Sequence, residues 1–150
     1  MKNLFLLTVV LAIALAACGG VKATVGSDPY SKQTQGLVEK WIAAYRNRDT
    51  NAVLSLYSDD VTWSECSSSP CSRYGLSDLK YYMPSDKGFG NPGFKIEPQS
   101  YFVTDFGYKA VVQALYTDPN TESVRAPSVI ILEIKDGKIA SETWYSAAMP

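Results

Sequence analysis

The sequence contains no histidine and only three cysteines. Since histidine is the usual general base near neutral pH, any proton transfer would have to use a carboxylate, a tyrosine or a lysine. Histidine and cysteine are also the common zinc ligands, so we predict neither a metal site nor a cofactor. The 14 Lys and Arg are balanced by 15 Asp and Glu. No basic run occurs, which argues against nucleic acid as a partner.

The chain also lacks an apolar run of the roughly 20 residues that a membrane-spanning helix needs. Its longest apolar run, residues 4–15, follows Lys2 and precedes small residues, which is the layout of a secretory signal peptide. The segment Leu15-Ala16-Ala17-Cys18 resembles the lipobox of bacterial lipoproteins, in which the cysteine is lipidated and becomes the N-terminus. We therefore predict a lipoprotein signal peptide over residues 1–17 and lipidation of Cys18. The alternative is an ordinary signal peptide with a chance cysteine.

Lipidation of Cys18 would attach the protein to the bacterial cell membrane through its acyl chains, each methylene contributing about 0.8 kcal/mol. Gly19 replaces the aspartate that retains such lipoproteins in the inner membrane. In a bacterium with two membranes this favours the outer membrane, facing the periplasm. Residues 18–30 contain glycine, serine and proline and are predicted to be a flexible tether. Residues 31–150 then form a single domain.

The remaining cysteines, Cys66 and Cys71, are predicted to form a disulfide. Disulfides persist outside the cytoplasm, and the use of Cys18 for lipid leaves an even pair. The spacing is not that of a Cys-x-x-Cys redox motif. A bond across so short a loop stabilises that loop more than the whole fold.

The first half of the domain has helical periodicity. Apolar residues at spacings of three and four predict a helix over residues 31–48. A second short helix, capped by Asp49 or Thr50, ends at Tyr57. An alternating strand over residues 59–65 and a third helix, capped by Ser77, follow.

The second half is rich in β-branched and aromatic residues and is predicted to consist of strands. Turns are predicted at residues 118–121 and, through Asp136-Gly137, at residues 135–138. The order of elements indicates an α+β fold. The motif G-x-G-x-x-G at residues 88–93 follows a helix and contains Pro92, so it is not interpreted as a dinucleotide site.

One predicted strand, residues 124–134, has aliphatic side chains on both faces. Because an antiparallel strand with one face in water alternates apolar and polar residues, both faces are expected to be covered. Helices can cover one face, and we predict that a second subunit covers the other. The two sets are Val124, Ile130, Leu132 and Ile134 on one face, and Val129 and Ile131 on the other.

The segment VEKWIAAYRNRDTNAVLSLYSDDVTWSE, with GLSDLKYY and IILEIKDGKIASETWY after it, resembles nuclear transport factor 2-like proteins. That superfamily includes SnoaL-like polyketide cyclases and ketosteroid isomerases. The resemblance spans roughly residues 31–148. It implies a cone-shaped, curved antiparallel sheet packed around a long N-terminal helix with two shorter helices, enclosing a pocket. It also implies a homodimer through the outer face of the sheet.

Comparison with the ketosteroid isomerases places their general base at Glu65. The tyrosine and the protonated aspartate that bind the oxyanion in those enzymes fall on Trp41 and Val129, so the resemblance also places Val129 among the residues of the ligand pocket. Valine donates no hydrogen bond, so the resemblance implies an incomplete catalytic set. Glu65 can therefore be a general base whose pKa an apolar surround would raise, or a carboxylate at the pocket rim that is paired with Arg73 or Lys80 or is solvated.

Several aromatic residues can either line a pocket or belong to the core: Trp41, Tyr45, Trp63, Tyr81 and Trp144. The favoured function is binding of a small apolar or aromatic ligand, or an accessory role, without catalysis. One alternative is an isomerase or cyclase that uses Glu65 as base. Another is a protein-interaction module of the cell envelope whose pocket is filled by its own side chains.

Overall fold

The computed structural model describes residues 20–66, 70–85, 89–117 and 125–146. The signal peptide, Cys18 and the turn at residues 118–121 lie outside the described residues. Within the described part, no helix is both long enough and apolar enough to cross a bilayer. In chain order the elements are β1 Lys22–Val25, α1 Pro29–Asn47, α2 Thr50–Leu56, β2 Tyr57–Glu65, β3 Ser72–Tyr74, α3 Leu76–Tyr82, β4 Lys95–Val103, a 3₁₀ turn Asp105–Gly107, β5 Lys109–Thr117, β6 Arg125–Lys135 and β7 Lys138–Ser146.

The strands form one seven-stranded sheet in the order β1-β4-β5-β6-β7-β2-β3. Neighbours pair antiparallel along the central hairpins, whereas β1 joins β4 and β2 joins β7 in parallel. The predicted α+β fold, a curved sheet with one long and two short helices, is confirmed. The sequence pattern did not predict the two parallel pairings.

Helix α1 starts at Pro29 because Asp28 caps it, its Oδ1 accepting a hydrogen bond of 2.9 Å from the backbone N–H of Ser31. It ends where Arg48 adopts a left-handed conformation, with φ of 55°. The buried face of the helix is apolar over most of its length. It consists of Ser31, Thr34, Val38, Trp41, Ile42, Ala44 and Tyr45.

The predicted flexible tether over residues 18–30 is wrong where the chain forms regular structure, at Lys22–Val25 and from Pro29 onward. Residues Lys22–Val25 form strand β1, which pairs with Ser100–Val103 at the edge of the sheet. Val21 and Val25 pack against the core. Short β-branched side chains favour this pairing, and the chain enters α1 directly afterwards. The folded domain therefore begins before residue 31.

The cap of helix α3 also differs from the prediction. The N-cap is Gly75, not Ser77, and the side chain of Asp78 accepts a hydrogen bond of 3.0 Å from the Gly75 backbone N–H. Asp78 is the acidic residue of the first turn, where it also favours the positive end of the helix dipole.

The hairpin between β6 and β7 turns at Asp136 and Gly137, as predicted. Their φ angles are 51° and 72°. Positive φ at both central residues is the requirement of a type I′ turn, which Asp-Gly meets well.

Strand β6 has one buried and one open face. Ala126, Ser128, Ile130 and Leu132 point into the core, whereas Val129, between them, is 38% exposed. Phe102 on β4 and Tyr145 on β7 are also exposed, and Tyr145 pairs with Val129 across the strands. In the part of the chain that the structure describes, no element covers this apolar outer face.

Candidate aromatic pocket

A cavity of about 350 Å³ opens between the end of the sheet, helix α3 and the segment that follows it. Strands β2, β3, β5 and β7 supply one wall, helix α1 contributes Tyr45, and the opposite side is lined by Tyr82, Met83, Phe89 and Phe94. Of the eleven described residues that line it, eight are aromatic. The lining residues are Tyr45, Trp63, Glu65, Tyr74, Leu79, Tyr82, Met83, Phe89, Phe94, Tyr116 and Trp144.

The aromatic rings touch one another in a continuous array. Trp144 contacts Trp63, Tyr45 and Tyr116, with centroid distances of 6.1, 6.0 and 5.8 Å. Phe89 and Phe94 complete a closed circuit between Tyr45 and Tyr116. Tilted and edge-on pairs at these distances are favourable beyond the area they bury. The cavity wall is therefore a connected set of rings and not a collection of separate contacts.

Behind this wall lies Glu142, whose side chain is fully buried, with 0% exposure. Its two oxygens accept hydrogen bonds from three indole N–H groups and two tyrosine hydroxyls. The donor–acceptor distances to Oε1 are 2.6 Å from Trp144, 3.0 Å from Tyr45 and 3.1 Å from Trp63. Those to Oε2 are 2.7 Å from Tyr57 and 2.8 Å from Trp41.

These five donors determine what Glu142 can do. Burial raises the pKa of the Glu142 carboxyl group, and the hydrogen bonds from Trp144, Tyr57, Trp41 and Tyr45 oppose that rise. Since an indole N–H cannot accept a hydrogen bond, the three indoles need lone pairs on the carboxylate oxygens. With its lone pairs engaged and water excluded, Glu142 orients the aromatic wall and has no free lone pair to offer a substrate.

The two tyrosine partners of Glu142 keep their protons. Burial, and then the negative charge of Glu142, raise the pKa of Tyr45 and of Tyr57 well above the usual value. Both hydroxyls therefore stay available as donors at physiological pH. Their own oxygens are 3.3 Å apart, so the network extends from α1 to the start of β2.

Four of the residues singled out from the sequence meet at the cavity: Tyr45, Trp63, Trp144 and Glu65. Glu65 ends strand β2 and pairs in register with Trp144. Trp41 does not line the cavity. It is completely buried, and its indole N–H is committed to Glu142.

Two of the predicted lining residues lie elsewhere. Tyr81 is 74% exposed on helix α3, where the neighbouring Tyr82 takes the position facing the cavity. Val129 lies on the outer face of β6 because side chains alternate along a strand. Val129 therefore faces away from the cavity, and the inward residues on either side of it are Ser128 and Ile130.

The predicted disulfide between Cys66 and Cys71 is present. It follows β2 directly and precedes β3, which pairs antiparallel with Trp63–Glu65. The backbone N–H of Cys66 also donates to the carbonyl of Trp144 at 2.8 Å. The bond therefore closes the loop next to Glu65 and restrains that edge of the cavity.

The sequence analysis missed Glu142, the residue that organises the wall. A signal was present, since Glu142 and Trp144 are two apart on one strand and share a face. A charged residue on the same face as a buried tryptophan indicates either a buried network or a functional carboxylate. Among the described residues, no group of three or more His, Cys, Asp or Glu is placed to hold a metal ion.

The architecture and the cavity define a small α+β pocket domain of the nuclear transport factor 2 type. The family of SnoaL-like domains matches residues 38–142, and the chain belongs to that family. No curated protein matches the chain at a significant level.

Solved structures agree on the fold. A nuclear transport factor 2-like protein of unknown function from Mesorhizobium loti superposes with a TM-score of 0.70 at 18% identity, covering 82% of this chain and 98% of the other. A suspected polyketide cyclase from Sinorhizobium meliloti gives 0.59 at 21% identity, with coverages of 73% and 94%. A protein with a ketosteroid isomerase-like fold from Catenulispora acidiphila, in complex with trimethylamine, gives 0.57 at 15% identity, with coverages of 74% and 85%.

Proposed function

We propose that this protein is a cell-envelope lipoprotein whose SnoaL-like domain binds a small apolar or aromatic ligand without transforming it. The observation that carries this proposal is the cavity of about 350 Å³, in which eight of eleven lining residues are aromatic. Ligand sites are commonly of this size or larger and are lined mainly by apolar and aromatic side chains with few polar groups. A similar structure from Catenulispora acidiphila holds trimethylamine, which supports ligand binding as a use of the fold.

The absence of catalysis is proposed from the donors around Glu65. A base that removes a proton next to a carbonyl group needs donors for the oxyanion that forms. The two positions matched to those donors are Trp41, whose N–H is bound to Glu142, and Val129, which faces outward. The buried phenols of Tyr45 and Tyr57 also donate to Glu142.

Isotope exchange on a ketone tests the proposed absence of catalysis. The protein would be incubated with a cyclic ketone in deuterium oxide, and NMR would follow the replacement of the protons next to the carbonyl group by deuterium. We expect the rate of this exchange to be no higher than in buffer alone. Glu65→Gln is expected to behave in the same way as the unchanged protein. Exchange that the unchanged protein catalyses and Glu65→Gln abolishes would contradict the proposal and support the isomerase alternative.

The membrane anchor and the dimer belong to the same proposal. The lipobox-like segment ending at Cys18 supports attachment to the bacterial membrane, on the periplasmic side of the outer membrane where two membranes exist. The open apolar face around Phe102, Val129 and Tyr145 supports pairing of two copies through the sheet.

Native mass spectrometry of the full chain tests these points together. The protein would be produced in a bacterial envelope and released from membranes in a mild nonionic detergent, without refolding. We expect a dimer, a mass increment of acyl chains that Cys18→Ser removes, and a further small mass that heating releases. A clean mass with no released molecule would favour the alternative of a protein-interaction module with a closed pocket.

A further inference from the structure

We propose that the ligand of the aromatic pocket is an organic cation, an alkylated ammonium group whose methyl groups pack against the rings. This inference rests on the proposal that the cavity binds a small molecule, and it narrows the apolar ligand to one whose methyl groups surround a positive charge. Its basis is the joint arrangement of the ring array, the carboxylate in the wall and the carboxylate behind it.

The ring array supplies the first part of the argument. A cation is attracted to the electron-rich face of an aromatic ring when it lies within about 6 Å of the ring centre. Four rings follow one another around the cavity, and the centroids of successive rings are 5.6 to 6.1 Å apart. In order of contact they are Trp144, Trp63, Tyr74 and Tyr82. A group in the cavity that these rings line lies close to several rings at once. Ammonium groups with methyl substituents suit it because they spread their charge over an apolar surface.

The charged residues in and behind the cavity wall are carboxylates. Of the described residues that line the cavity, none is lysine or arginine, and the one charged residue is Glu65. Glu142 lies directly behind the wall, bonded to Trp63, Trp144 and Tyr45, which all line the cavity. Carboxyl groups in the wall and behind it, with no lysine or arginine among the described lining residues, favour a positively charged ligand over a negatively charged one.

The hydrogen bonds to Glu142 also change the electron density of the rings that donate them. Hydrogen bonds polarise the groups that make them, and an N–H or O–H that donates to a carboxylate leaves its ring richer in electrons. Trp63, Trp144 and Tyr45 all donate to Glu142. Their faces are therefore better cation acceptors than those of unbonded tryptophan and tyrosine. This gives the buried carboxylate a role in binding without contact with the ligand.

A pair of probes of equal shape tests the inference: choline and its neutral isostere 3,3-dimethylbutan-1-ol. The full chain would be held in a maltoside detergent, because zwitterionic detergents carry the same ammonium group as the probe. Binding would be followed by tryptophan fluorescence and calorimetry. A purely apolar pocket prefers the neutral molecule, since a cation must lose more hydration. We expect choline to bind about tenfold more tightly, a difference of about 1.4 kcal/mol.

Two matched pairs of variants locate the effect. Tyr82→Leu keeps an apolar side chain at the cavity and removes a ring, whereas Tyr81→Leu makes the same change on the exposed side of α3. Glu65→Gln removes the charge in the wall, whereas Glu133→Gln removes one from an exposed ion pair on β6. We expect Tyr82→Leu and Glu65→Gln each to weaken choline binding about fivefold and to leave the neutral probe unchanged. The two control variants should change neither affinity.

A third probe separates the possible sources of the cation. Dihexanoylphosphatidylcholine below its micellar concentration carries the same ammonium group on a lipid headgroup. Binding as tight as that of choline would identify a headgroup ligand, and weaker binding a free ammonium compound. Equal or tighter binding of the neutral alcohol overturns the inference while leaving the proposed binding function intact. Failure of both probes to bind, with a released molecule in the native mass spectrum that carries no cationic nitrogen, overturns the inference as well.

Discussion

Replacement of Glu142 by leucine is expected to lower the free energy of unfolding by about 4 kcal/mol. The substitution removes the acceptor of five buried hydrogen bonds. Tyr45 and Tyr57 can still bond to each other, since their oxygens are 3.3 Å apart. The indole N–H groups of Trp41, Trp63 and Trp144 have no such alternative, and each buried donor left unpaired costs about 1–3 kcal/mol.

Glutamine at position 142 is expected to have a smaller effect, a loss of about 2 kcal/mol. It avoids the cost of burying a charge, which favours the variant. Its amide N–H₂, however, must replace either Oε2, next to the N–H of Trp41, or Oε1, next to two indole N–H groups. In either orientation the amide N–H₂ points at an indole N–H, and neither group can accept a hydrogen bond. At least one indole N–H is therefore left without an acceptor.

Urea unfolding followed by circular dichroism measures both variants, with Glu133→Gln as the control. Glu133 is exposed on the neighbouring strand, where it pairs with Lys109 at 3.0 Å. Exposed pairs contribute roughly 0–1 kcal/mol, so this variant should be close to the unchanged protein. The expected order of stability is Glu133→Gln, Glu142→Gln, Glu142→Leu. A leucine variant as stable as the unchanged protein would show that the buried network does not stabilise the fold.

The fold was largely predictable because its helices and strands carry local signals. The 3,4 spacing in α1, the Asp-Gly turn between β6 and β7, and the β-branched and aromatic composition of the later strands each depend on neighbouring residues. Strand β1 was missed because its place depends on an edge of β4 that lies far along the chain. No pattern within Lys22–Val25 distinguishes a short edge strand from a tether of the same composition.

The site was predictable only in part because its members come from distant segments. Glu65 was found through the resemblance to the ketosteroid isomerases, and Trp63 and Trp144 through their aromatic side chains. The parallel pairing of β2 with β7, which the sequence did not predict, places the three side by side. Tyr81 and Tyr82 are neighbours on a short helix, and which of them faces the cavity depends on how α3 packs. Glu142 was missed because a charged residue on a strand is usually exposed, and only the convergence of five donors makes its burial favourable.

Substitution of Gly90 by alanine is expected to destabilise the protein by about 3 kcal/mol and to weaken ligand binding about tenfold. A Cβ atom at this position would lie 2.2 Å from the carbonyl oxygen of Pro84 and 2.6 Å from that of Ser85. Neither contact can be relieved by a side-chain rotation, since both oxygens belong to the backbone. The segment must therefore move away from the end of α3.

That movement would reach the cavity through the hydrogen bonds of Gly90. Its N–H donates to the carbonyl of Met83 at 2.8 Å, and its carbonyl accepts from Arg48 at 2.6 Å. Met83 and the adjacent Phe89 both line the cavity, and Phe89 contacts Tyr45 at a centroid distance of 5.0 Å. A shift of Gly90 therefore displaces one side of the ring array.

Gly36→Ala is the matched control for this substitution. Gly36 lies in helix α1, and a Cβ atom there would meet nothing within 4 Å. Since alanine is a better helix former, this variant is expected to gain about 0.5–1 kcal/mol. Thermal unfolding and ligand titration of both variants give the comparison. If Gly90→Ala bound ligand as tightly as Gly36→Ala, the segment around Phe89 would not form part of the binding site, and the ligand would be held by the strands and α1 alone.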